Sequence, residues 1–128
     1  MVVTISATLL DAVLAHARAR RNEEVCGLLW GTPARIDDVE PTENVAPDPS
    51  AWFEINPRRL FEALRAARSS GRHIIGHYHS HPNGRAEPSS RDADAAEPGK
   101  YWLIIGGDSA RLWLATAEAF EEIDLIVA

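Results

Sequence analysis

His73-Ile74-Ile75-Gly76-His77-Tyr78-His79-Ser80-His81-Pro82 is the stretch on which the reading turns. The run from His73 to His79 predicts a strand, and Pro82-Asn83-Gly84 after it must be loop. Residues two apart on a strand face the same side, so His77, His79 and His81 alternate onto one face. His79 and His81, at the strand's end, can reach one metal ion together. Eleven residues after His81, Asp92 closes the run Pro88-Ser89-Ser90-Arg91-Asp92. Two imidazoles and a carboxylate form a three-ligand set that suits zinc and leaves a fourth tetrahedral position for water. A structural zinc site would normally close that position with a fourth protein ligand, usually Cys. The lone Cys26 is far away in sequence, so the ligand count favours catalysis.

Near the N-terminus, Ser6 reads as an N-cap. Leu9, Leu10, Val13, Leu14 and Ala17 then recur at helical spacing, predicting a helix to about Arg21. Val25-Cys26-Gly27-Leu28-Leu29-Trp30, closed by Gly31-Thr32-Pro33, reads as a buried strand. Arg35–Val39 and Trp52–Ile55 are further strand candidates in a polar, proline-bearing region. Asn56-Pro57 opens a second amphipathic helix carrying Leu60, Phe61, Leu64 and Ala67, ended by Ser69-Ser70-Gly71. A short third helix begins near Ser89 and stops before Pro98. Strands over Tyr101–Ile105, Arg111–Leu114 and Ile123–Val127 complete the pattern. The expected architecture is α/β (α+β): one domain over residues 1–128, with a mixed β-sheet flanked by helices.

Composition narrows the function. The 128 residues suit a single compact domain. With 13 Lys+Arg against 19 Asp+Glu and a net charge of −6, the chain lacks the basic face that a nucleic-acid binder needs. Lys100 is the only lysine, so a polybasic membrane patch is equally unsupported. One cysteine allows no internal disulfide, and the N-terminus lacks the basic and apolar regions of a signal peptide. These features predict a cytoplasmic protein, and the Ala- and Arg-rich, Lys-poor composition points to a high-GC bacterial genome. Nucleobase deamination would need a Pro-Cys-x-x-Cys pair that a single cysteine cannot supply. The helical His-Glu-x-x-His motif is absent.

A hydrolytic metal site needs a group to take a proton from water and return it to the leaving group. Glu24 and its neighbour Glu23, beside the Val25–Trp30 strand, are both candidates, and spacing alone does not choose between them. Glu24-Val25-Cys26-Gly27, then His79-Ser80-His81-Pro82, six residues from Asn83 to Pro88, and Ser89-x-x-Asp92 resemble the JAMM (MPN+) metalloprotease signature. The order of helices and strands agrees over essentially the whole chain. The similarity is greatest to short bacterial members that act on sulfur-carrier or ubiquitin-like proteins.

The resemblance implies that His79, His81 and Asp92 ligate Zn2+, that Glu24 is the general base, and that Ser89 hydrogen-bonds the carbonyl oxygen as it gains charge. It implies peptidase or isopeptidase activity after the C-terminal Gly-Gly of a small protein joined to lysine or to an amine such as cysteine. Two versions stay open: release of cysteine from a sulfur carrier, and removal of a ubiquitin-like modifier from target proteins. The alternative is a non-catalytic interaction module on the same fold. Ser-x-x-Asp before a helix is also a capping box, and both roles can hold at once. His77 is expected beside the site rather than on the metal. Cys26 is expected to be an inert core residue, and His16 and His73 to be surface histidines. Residues 31–50 are the segment best suited to substrate contact or to a homodimer.

Overall fold

The computed structural model describes residues Met1–Ala128. In chain order the elements are β1 (Val2–Ile5), α1 (Ala7–Ala19), β2 (Cys26–Thr32), β3 (Arg35–Thr42) and α2 (Pro57–Ser70). They continue with β4 (Ile74–His81), α3 (Ser90–Ala95), β5 (Tyr101–Gly106), β6 (Ser109–Ala115) and β7 (Phe120–Val127). The seven strands hydrogen-bond in the order β1-β3-β2-β4-β5-β6-β7, and β7 pairs with β1 in parallel to close the sheet on itself. Expected elements recur with small changes of boundary, whereas β1 was not expected and Trp52–Ile55 is no strand. That segment touches the ladder pattern only through an isolated bridge between Asn44 and Ile55.

Local chemistry explains the helices. The Ser6 side chain accepts the Leu9 N–H at 3.1 Å and caps α1, whose Val13 and Ala17 are buried. Asn56 caps α2 by accepting the Arg58 N–H at 3.0 Å, and Gly71 ends it in the left-handed conformation. The face of α2 turned to the sheet differs from the expected stripe. Ala63 is buried, with Leu60 and Ala67 half-buried, while Phe61 and Leu64 are 61% and 45% exposed. No helix is long and apolar enough to cross a membrane.

Strand alternation separates two packing layers. On β5, Tyr101, Leu103 and Ile105 join the main core with Val3, Val13 and Leu29. The opposite residues Trp102 and Ile104 pack with Cys26, Phe53 and Ala115 next to the histidines. On β4, Tyr78 enters the main core, where its hydroxyl meets His16 Nδ1 at 2.7 Å. His16 is therefore half-buried and bonded across 62 residues, not a free surface histidine, while His73 is exposed.

Two glycines permit close approach in this sheet. A Cβ on Gly27 would lie 2.2 Å from the Tyr78 ring and 2.5 Å from the Glu40 carbonyl, so Gly27 serves tight packing. A Cβ on Gly76 would lie 1.9 Å from the Tyr101 carbonyl oxygen, on the neighbouring parallel strand. Gly76→Ala is accordingly expected to destabilise the protein by about 3 kcal/mol, the upper range for overpacking, as read by urea denaturation.

Candidate metal centre

The C-terminal half of β4 delivers the histidines, and the start of α3 delivers the carboxylate. His79 and Asp92 are fully buried, and His81 nearly so. His79 Nε2 and His81 Nε2 lie 3.0 Å apart. Asp92 spans both, with Oδ1 at 3.3 Å from His79 Nε2 and Oδ2 at 3.2 Å from His81 Nε2. A tetrahedral zinc with bonds of roughly 2.0–2.2 Å spaces its ligands by roughly 3.3–3.5 Å, close to this triangle. Buried oxygens support the same fit. Asp92 Oδ1 and Glu24 Oε1 have no hydrogen-bond partner, an arrangement that is costly unless a cation compensates it. The residues present therefore fit a zinc-type site.

Outer contacts fix the rings. His81 Nδ1 donates to the Arg85 carbonyl at 2.8 Å, which leaves Nε2 with its lone pair directed at the cluster. His79 lacks such a partner on Nδ1 and is held by stacking on Phe53, with centroids 4.3 Å apart and planes 17° apart. Asp92 is placed by a capping box: Ser89 Oγ accepts the Asp92 N–H at 3.1 Å, and Asp92 Oδ2 accepts the Ser89 N–H at 2.8 Å. The capping role anticipated for Ser-x-x-Asp is thus present, and it sets Asp92 rigidly.

Glu24 sits just before β2 and is buried. It, His79 and His81 offer donor atoms that all lie within 4.8 Å of one another. Glu23 is directed elsewhere, ion-paired to Arg20 at 3.5 Å. A cleft of about 420 Å³ opens over Glu24, His81 and Ser89, and is walled by Ser50, Asn83 and Arg91. Ser89 Oγ uses a lone pair for the Asp92 N–H and keeps its own O–H available to the cleft.

The electrostatics follow from this packing. Burial raises Glu24 to about 7; His81 and Arg91 pull it down and Asp92 pushes it up. Burial would raise Asp92 too, but the His79 and His81 imidazoles on either side of its carboxyl and the Ser89 N–H outweigh it. Asp92 is held well below the usual carboxylate range. Burial lowers His79 against the pull of Asp92. For His81, the adjacent Asp92 carboxylate and the Arg85 carbonyl outweigh burial and raise it.

His77 lies on the same face but outside the cluster. Its ring packs on Trp102 at 4.3 Å and on Phe53 at 5.4 Å, and burial drops it to about 3, so it is neutral. Cys26 is fully buried, and burial pushes its thiol up, as fits a core residue. Phe53 and Arg91 escaped the sequence reading. Phe53 fell within an expected strand, and no local pattern singled out Arg91. Arg91 in fact stacks 4.7 Å over Trp52, facing the cleft.

Known proteins similar to this chain give its family. A sequence profile described as prokaryotic homologs of the JAB domain matches residues 6–117. A desampylase from Haloferax volcanii is 34% identical over 135 residues, covering 98% of this chain and 96% of the relative. A probable TtuB-protein conjugate cleaving protease from Thermus thermophilus is 32% identical over 127 residues, covering 99% and 84%. The solution structure of a Desulfitobacterium hafniense protein superposes with a TM-score of 0.85 at 29% identity, covering 100% of this chain and 93% of that one. Motif, fold and relatives coincide, and the chain belongs to the JAMM (MPN) metalloprotease family, among its prokaryotic JAB-domain members.

Proposed function

We propose that the protein is a zinc-dependent isopeptidase that hydrolyses the amide bond after the C-terminal Gly-Gly of a ubiquitin-like or sulfur-carrier protein. The observation that carries this reading is the buried His79–His81–Asp92 triangle, whose His81 lines the same cleft as Glu24 and Ser89. His79, His81 and Asp92 would hold the zinc. Bound there, zinc would supply Lewis acidity that lowers the pKa of water to about 7.

Glu24 takes the proton of the attacking water and passes it to the departing amine nitrogen as the C–N bond breaks. The Ser89 hydroxyl donates to the scissile carbonyl oxygen as negative charge builds on it, a contact typically worth about 3 kcal/mol. No side chain need become acylated, since water is the nucleophile. An apolar groove lined by Leu28, Ile55, Leu60, Leu64 and Trp102 reaches His77, next to His79, and suits the tail of a carrier protein. The Thermus relative is named for cleaving protein conjugates and aligns over 99% of the chain, which favours deconjugation over release of free cysteine.

The test is cleavage of Gly-Gly carriers joined either to a lysine side chain or to a C-terminal cysteine, with zinc measured in the same preparation. Cleavage after Gly-Gly that a chelator abolishes and zinc restores is the expected result. Metal-loaded protein that cuts neither class of conjugate overturns the reading.

A further inference from the structure

Glu24 precedes β2, so no strand ladder holds it, yet both peptide groups flanking its Cα are pinned. On the upstream side, its N–H donates to the Pro49 carbonyl at 2.7 Å. On the downstream side, its carbonyl accepts Asn44 Nδ2 at 2.7 Å, and the N–H of that same peptide donates to Ser80 Oγ at 2.9 Å. Fixing both planes fixes φ and ψ of Glu24, and hence the direction of its Cα–Cβ bond, from which the side chain sets out.

Asn44 contributes twice to that restraint. Its Nδ2 also donates to the Trp52 carbonyl at 2.9 Å, and its Oδ1 accepts the N–H groups of Ala46 and Glu54, each at 3.0 Å. One carboxamide thereby uses both donors and both lone pairs on backbone groups. Those bonds shape the loop between β3 and α2 that carries Pro49, the acceptor for the Glu24 N–H. The same loop presents Trp52 to the Arg91 guanidinium of α3, the helix that bears Asp92.

We infer that Asn44 is a positioning residue for the reaction: it closes the loop over residues 44–54 and, through it, aims Glu24 into the cleft. The inference rests on Glu24 being the general base. A misplacement of about 1 Å can cost about 10²-fold in rate, so a base outside regular structure needs such a restraint.

Asn44→Asp is the informative variant. The carboxylate can still accept from Ala46 and Glu54, but it cannot donate to Glu24 or Trp52. Zinc content and amide exchange in β2 and β4 are expected to match wild type, while the Glu24 N–H exchanges at least about 10-fold faster. On the cleaved conjugate, kcat falls about 10- to 100-fold with KM within about 3-fold of wild type. In a Glu24→Gln background the same change costs less than about 3-fold, because a residue acting through Glu24 has nothing left to position. Should Asn44→Asp fail to fold, Asn44→Ala is read in the same way.

Uniform acceleration of exchange along the chain, or a full kcat penalty persisting in the Glu24→Gln background, overturns the inference. If the wild-type protein cuts no conjugate, the proposed function fails, and selective loosening at Glu24 still decides the positioning claim.

Discussion

The Glu24→Gln protein is expected to bind zinc as wild type does, to fold normally, and to lose at least about 10³-fold in kcat, within the range for removal of a general base. The substitution keeps shape and volume at a buried position, and Glu24 Oε1 has no hydrogen-bond partner to lose. His79, His81 and Asp92 meet one another without Glu24, so the metal triangle survives. What disappears is a proton acceptor, which an amide cannot replace. Inductively coupled plasma measurement of zinc, alongside single-turnover cleavage, reads both halves of the expectation. Full activity in the variant would assign the base elsewhere. A wild type that binds a carrier tightly but never cuts it would indicate an interaction module instead.

The pH profile gives the same residue a second signature. A general base acts deprotonated, so kcat/KM rises with pH through the Glu24 pKa. Burial and its neighbours hold that pKa at about 7 without a cation. A cation on the adjacent histidines favours the carboxylate and lowers it. The acid limb should therefore have its midpoint between the ordinary 4.5 and about 7. The weak residual rate of Glu24→Gln should lack that limb.

Much of this site is local in sequence, which is why it is legible there. His79 and His81 share a face because strands alternate, and Ser89 and Asp92 are three apart because a helix start places the cap against its third residue. Helix starts at Ser6 and Asn56 carry their own chemistry. The missing pieces are non-local. Val2–Ile5 is too short to signal a strand alone, and it gains its ladder from Asp124–Val127 at the far end of the chain. That pairing closes the sheet, and no local pattern announces it. Tyr78 and His16 meet only because α1 packs across β4. Phe53 stacks on His79, and Arg91 on Trp52, only once the loop between β3 and α2 has folded over the cleft. The α2 stripe differs from expectation because apolar residue type does not say which side of a helix finds the sheet: Ala63 does, Phe61 does not.

Asp92→Asn should produce the other large effect, and it separates the two carboxylates of the site. Asparagine keeps the shape of the side chain and can still accept the Ser89 N–H, so α3 stays capped. The negative charge between two imidazoles is lost. Asp92 is ionised throughout the neutral range, because its folded pKa lies far below the unfolded value of about 3.9. The stability it contributes is thus present at all pH values above about 3.9 and fades only as pH falls toward the folded value. At pH 7 the variant forfeits all of it, about 3 kcal/mol for a broken buried pair, visible in denaturant unfolding of the metal-free protein. Zinc affinity should drop by more than about 10²-fold, since even outer-contact changes at metal sites cost 10- to 100-fold. Hydrolysis should vanish with the metal and return in part at high zinc. Retention of tight zinc by Asp92→Asn would reverse the assignment. Glu24, His79 and His81 already bring three donor atoms within 4.8 Å of one another, so Glu24 would then be the ligand and the base would have to be sought elsewhere. The two substitutions therefore decide jointly: zinc lost with Asp92 and kept without Glu24 identifies one carboxylate as ligand and the other as base.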